Sequence, residues 1–211
     1  MTNTRSKSSH GKLIAVVAAA AVVIVLAVVS AFAWPGWALR HDGADTKEPA
    51  ATEPTKPAIK ATALPEDATE LLKAMPDSVL DYARIKADAS TTWADAAPLE
   101  EYTLIYGKAK DAADVTLIVA QWSSADSAKK QFQALDKAAE GETGATGDVR
   151  VNGDITGSYV VKTTGGSDAD GKDGSATPVG DATAIWQNDT VVFQATGKAA
   201  DVERFYPKFP L

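Results

Sequence analysis

The chain has no cysteine. It therefore forms no disulfide, carries no lipid on a cysteine and does no thiol redox chemistry. Histidine is almost missing too. His10 and His41 both precede the part of the chain that reads as folded. Without either residue type, that part cannot build Ser-His-Asp or Cys-His nucleophilic machinery. It also lacks the ligands that zinc sites almost always use, and any histidine pH switch. We expect no catalytic residue, no metal and no cofactor. Positive charge is short as well: 21 Lys and Arg against 28 Asp and Glu, a net −7. That balance argues against nucleic acid as a partner, since nucleic-acid binding calls for basic patches.

What the sequence does have is an oily run near its start. Leu13 to Ala33 is 21 residues without a charge, and Ser30 is its one conventionally polar side chain. As a helix rising ~1.5 Å per residue, it matches the ~30 Å hydrocarbon core of a bilayer. Trp34 and Trp37 follow, rings that favour the headgroup level, with Pro35 and Gly36 between them to stop or bend a helix. The spacing predicts a membrane anchor over residues 13–39, with Lys12, Trp34, Trp37 and Arg40 at the membrane interface and the lipid bilayer as a partner. A secretory signal cleaved after Ala33 is the rival reading, because Ala31-Phe32-Ala33 fits the small-x-small rule. The run exceeds the ~7–15 residues usual for a signal, which favours the anchor.

Residues 1–12 carry Arg5, Lys7 and Lys12 and no acid. The positive-inside bias puts this tail in the cytoplasm and the rest on the far side. There, 18 basic residues face 28 acidic ones, a net −10. Residues 40–64 read as a linker rich in Pro, Ala and Thr, with no Phe, Trp or Tyr. Such a composition buries too little apolar surface to offset chain entropy.

Residues 65–211 read as one extracytoplasmic domain of about 150 residues, enough to fold on a hydrophobic core alone. Pro65-Glu-Asp67 predicts a helix start, and Ala68, Leu71, Leu72 and Met75 share a face. Tyr82 to Ala87, Glu100 to Tyr106 and Val115 to Trp122 alternate as strands. The last is apolar on both faces, as a central strand is. Ser123-Ser-Ala-Asp126 reads as a capping box before a helix striped by Ala128, Phe132, Leu135 and Ala139. Gly141, Gly144 and Gly147 mark a loop, then Val149–Val151 and Ser158–Thr164 short strands. Ala182–Gln187 and Thr190–Thr196 flank an Asn188-Asp189 turn, with Trp186 and Phe193 facing the core. Ala199–Tyr206 is a last helix. Hairpin-length connections predict an α+β fold: a mostly antiparallel sheet of about five to seven strands, with helices mainly on one face.

Pro76-Asp-Ser-Val-Leu-Asp-Tyr82, Tyr102-Thr-Leu-Ile-Tyr106, Val115–Trp122 and Ala184-Ile-Trp-Gln-Asn-Asp-Thr-Val-Val-Phe193, leading to Phe205-Tyr206, form a pattern. It resembles that of exported or membrane-anchored domains of unknown function from high-GC Gram-positive bacteria. The resemblance covers most of residues 65–211. It implies location and lineage and transfers no catalytic residue.

Three chemical readings compete with plain structure. Glu100 and Glu101 could be paired acids, but neighbours on a strand point to opposite faces. Asp168-Ala-Asp170-Gly-Lys-Asp173 has Lys172 where a calcium loop needs its third ligand. Trp93 lies in a connection between strands and is the candidate partner contact, a core role being its alternative. The expected function is non-enzymatic binding of an envelope partner. A carboxylate-only hydrolase acting on envelope sugars and the sensor part of a signalling pair are the alternatives.

Overall fold

A computed structural model describes residues 54–168 and 177–210. The run 13–39, with Lys12, Trp34, Trp37 and Arg40, lies outside the described residues. Among those residues no helix is long and apolar enough to cross a membrane.

Helix α1 (Glu70–Ala74) comes first. Strands β1 (Ser78–Val79), β2 (Tyr82–Ala89), β3 (Glu100–Gly107) and β4 (Val115–Gln121) follow, then helix α2 (Ala125–Ala138). The second half holds β5 (Glu142–Val151), β6 (Asp154–Thr163), the short β7 (Ser167–Asp168) and β8 (Thr177–Pro178), β9 (Asp181–Asn188) and β10 (Val191–Lys198). Helix α3 (Ala199–Phe205) and a 3-10 turn (Tyr206–Lys208) close the fold.

Eight strands form one sheet in the order β1-β2-β3-β4-β10-β9-β6-β5, and each neighbouring pair is antiparallel. This exceeds the expected five to seven strands. The additional strand length comes largely from residues 142–148, which composition assigned to a loop. Gly144 and Gly147 lie inside β5. The β5–β6 hairpin is set by Asn152-Gly153, with φ 52° and 95°. Both are left-handed values that this residue pair tolerates well. Pairing with β6 then overrides the low strand propensity of the glycines.

The two faces of the sheet carry separate cores. One contains Leu104, Leu117, Val119, Trp186, Phe193 and the α1 and α3 side chains Leu71, Leu72, Val202 and Phe205. The other contains Ala120, Trp122, Ile185, Val192 and the α2 side chains Ala128 and Phe132. The helices thus cover both faces rather than mainly one. The reason is local: β4, β9 and β10 are apolar on both sides, and each side must be covered. The halves repeat the order strands-then-helix, yet their helices go to opposite faces.

Helix ends shift slightly from their predicted places. Thr69 caps α1, its hydroxyl accepting from the Leu72 N–H at 3.3 Å, so the helix begins after the Pro65 turn. Ser124, one residue past the predicted cap, accepts from the Ser127 N–H at 3.2 Å. At the other end of α2, Lys162 bonds the Asp136 and Ala139 carbonyls and pairs with the Asp136 carboxylate. A cation there suits the negative end of a helix dipole. The β9–β10 turn is Asp189-Thr190, one residue later than read, with Asp189 at φ 49°.

Candidate functional surfaces

Residues 54–64, the end of the segment read as linker, run against the domain as a strap. The Thr62 N–H donates to the Arg84 carbonyl at 2.8 Å, and the Thr62 hydroxyl to the Ile85 carbonyl at 2.9 Å. Leu64 packs on the main core. Arg84 itself is buried, 1% exposed. Its guanidinium donates to the carbonyls of Met75, Pro76 and Thr62 and to the Asp77 carboxylate, the last at 2.7 Å. Fork geometry lets one arginine gather four acceptors. Tyr106 adds a hydroxyl donated to the Pro76 carbonyl at 2.9 Å. Burial pushes the Tyr106 hydroxyl well above the usual tyrosine range. Sequence patterning missed this clasp, because an arginine inside an alternating strand reads as a solvated residue.

A second polar cluster joins β2, α3 and the β3–β4 turn. Tyr82 donates to Asp201 at 2.8 Å, and Lys108 reaches the same oxygen at 2.6 Å. Arg204 donates to the Tyr82 hydroxyl, to Asp81 and to the Pro54 carbonyl. Burial, with the Asp201 bond second, pushes Tyr82 up to about 12. Burial lowers Lys108, but the Asp201 bond and the Tyr82 hydroxyl outweigh it and the net direction is upward. Beside this cluster is a cavity of about 280 Å³, lined by Pro54, Leu80, Glu203, Arg204, Pro207 and Lys208. Leu80 holds φ 54°, a left-handed value rare for a bulky side chain. The cavity sits at the small end of ligand-pocket sizes.

The structure places Trp93 in the second core. It is 7% exposed and stacks on Trp122 at 6.2 Å between ring centroids. The Trp122 indole N–H donates to the Ala96 carbonyl at 2.8 Å, closing the 3-10 turn Ala94–Ala96 over it. Beneath this loop lies Glu101, 5% exposed. Its carboxylate accepts from the Ser90 hydroxyl and from the N–H groups of Thr92 and Trp93, at 2.7, 2.7 and 2.9 Å. Charge-assisted bonds of this kind are about twice as strong as neutral ones. Glu101 therefore fixes the loop that buries Trp93. Glu101 pairs with Ala120 of the Trp122 face, whereas Tyr102 beside it pairs with Val119 of the other. Glu100, next in the alternation, shares the Tyr102 side and does not converge with Glu101 on one bond.

Among the described residues, no group of three or more His, Cys, Asp or Glu side chains is placed to hold a metal. The calcium-like stretch falls mostly outside them. Among the described residues the surface left open is main-chain: β5 ends the sheet, and none of the described strands pairs with its outer side.

No protein-family model matches the chain. No curated protein is similar to it in sequence. Among solved structures, the chain is similar to the extracellular domain of PknH from Mycobacterium tuberculosis. The two share 17% sequence identity over 58% of this chain and 75% of that one, with a TM-score of 0.32.

Proposed function

We propose that this chain is a single-pass membrane protein whose folded domain stands outside the cytoplasm and binds an envelope partner without catalysing a reaction. The observation that carries the reading is the charge-free run Leu13–Ala33, flanked by Lys12 on one side and by Trp34, Trp37 and Arg40 on the other. Its length fits a bilayer, and its flanking charge orients it. The non-enzymatic part rests on the inventory: no cysteine, and no histidine after His41. Among the described residues, the buried charges Arg84 and Glu101 are engaged with backbone groups and Asp81 with Arg204, which is fold-holding work.

The strap sharpens the reading. With residues from 54 onward held against the domain, at most residues 40–53 connect it to the bilayer. Fully extended, those fourteen residues reach about 50 Å. The domain is thus kept close to the membrane surface.

Protease added to intact cells stripped of their wall tests the topology. Digestion of the domain, with the N-terminal tail protected, is the expected result. A domain that resists until the membrane is broken overturns it, as does a full-length, unprocessed chain that is soluble without detergent. Sequencing the mature N-terminus separates an anchor from a signal cleaved after Ala33.

A further inference from the structure

The outer edge of the sheet has a self-complementary charge pattern. Strand β5 is ten residues long, and most of its side chains are exposed. Within it Asp148 and Arg150 stand on one face, two residues apart, and bridge at 2.9 Å with about half of each side chain exposed. Between them Val149 turns to the opposite face and is buried in the main core.

We propose that β5 is a pairing edge for a second copy of this chain. The two copies lie antiparallel about a two-fold axis through Val149. In that register Asp148 of each copy stands directly opposite Arg150 of the other, so two opposite-charge pairs form at once. Gly147 then faces Val151, and Val149 faces its counterpart. The Asp148–Arg150 bridge within each strand is exchanged for bridges between strands.

The charges also set the register. Moving the axis by one residue to Asp148 places the two aspartates opposite one another, and moving it to Arg150 does the same to the arginines. Like charges directly opposite are destabilising. The pairing also closes at two copies. At the far end of the sheet, β1 and the strap residue Thr62 hold the outer side of β2 from Tyr82 to Ile85, so among the described residues β5 is the longest open edge. The proposal does not depend on the membrane anchor.

The test is sedimentation of the full chain in detergent micelles over a range of concentrations. The wild-type chain is expected to associate reversibly to a dimer. Asp148→Arg puts four arginines along the seam and raises the dimer dissociation constant about tenfold or more. The double variant Asp148→Arg, Arg150→Asp restores the opposite-charge pairs and the dimer. Asp95→Arg makes the same charge change on another surface and leaves dimerisation unchanged. Circular dichroism checks that each variant is folded; these side chains are exposed, so all are expected to fold. A monomer at every concentration overturns the proposal. So does a dimer indifferent to Asp148→Arg, as helix association within the micelle gives, and so does a double variant that stays monomeric.

Discussion

The two ends of the sheet are built on opposite plans. At the β2 end the outer backbone from Tyr82 to Ile85 is covered by two-residue β1 and by Thr62 of the strap, and Arg84 gathers Met75, Pro76, Thr62 and Asp77 beneath them. At the β5 end no described residue pairs with the outer backbone of the ten-residue strand, which carries a bridge between two half-exposed side chains. A buried, multiply bonded cation closes the first edge; the second is left to solvent or to another strand. Open edges invite pairing, and closing one takes specific side chains.

Removing Arg84 tests the closed end most severely. Arg84→Ala leaves the Met75 and Thr62 carbonyls without this donor, the Pro76 carbonyl with Tyr106 alone, and a void under the strap. The expected loss is about 3–5 kcal/mol of stability in denaturant titration. Arg84→Lys is expected to recover only part of it, since an ammonium cannot make the same fork.

Alkaline pH should attack the same end next. Tyr82, Tyr102 and Tyr106 stand on β2 and β3, and burial raises all three above the ordinary tyrosine value. A raised acid keeps its proton longer when folded. Its contribution is therefore complete below the unfolded value near 10 and is lost as pH climbs through the folded one, about 12 for Tyr82. Stability should hold up to about pH 10 and fall beyond it. Chemical denaturation at stepped pH, alongside tyrosinate absorbance, checks this; a curve flat from pH 9 to 12 contradicts it. Tyr106→Phe is smaller still, about 1 kcal/mol for the bond to the Pro76 carbonyl. At the open end, Arg150→Gln should change the stability of the isolated fold by less than about 0.5 kcal/mol, since it breaks an exposed pair with Asp148 and an exposed bond to the Gly153 carbonyl. If it costs as much as Arg84→Ala, the contrast between the ends is wrong.

Much of this was legible in the residues. The two-faced pattern of Val115 to Trp122 placed β4 at the centre, where the sheet order puts it. The stripe of Ala128, Phe132, Leu135 and Ala139 correctly gave the buried side of α2. Strand β5 was not legible, because Gly144, Gly147 and their small neighbours carry a loop's composition and become a strand only through β6. A signal was present in Asn152-Gly153, the turn that makes β5 and β6 a hairpin. Alternation separates Glu101 from Glu100 but does not show that Glu101 is buried. Its burial depends on residues 90–93 folding back over it, a contact that alternation cannot show. Trp93 sits under that same fold-back, which is why a tryptophan in a connection ends up in a core.

The strap has a mechanical consequence. Tension applied to the polypeptide ahead of residue 54 meets the Arg204–Pro54 bond first and the Thr62 bonds to β2 second. Both must part before the chain beyond Thr62 is peeled from the fold. The domain thus carries a two-stage fuse at the point where a pull arrives, and the sheet behind it stays intact while the fuse gives way.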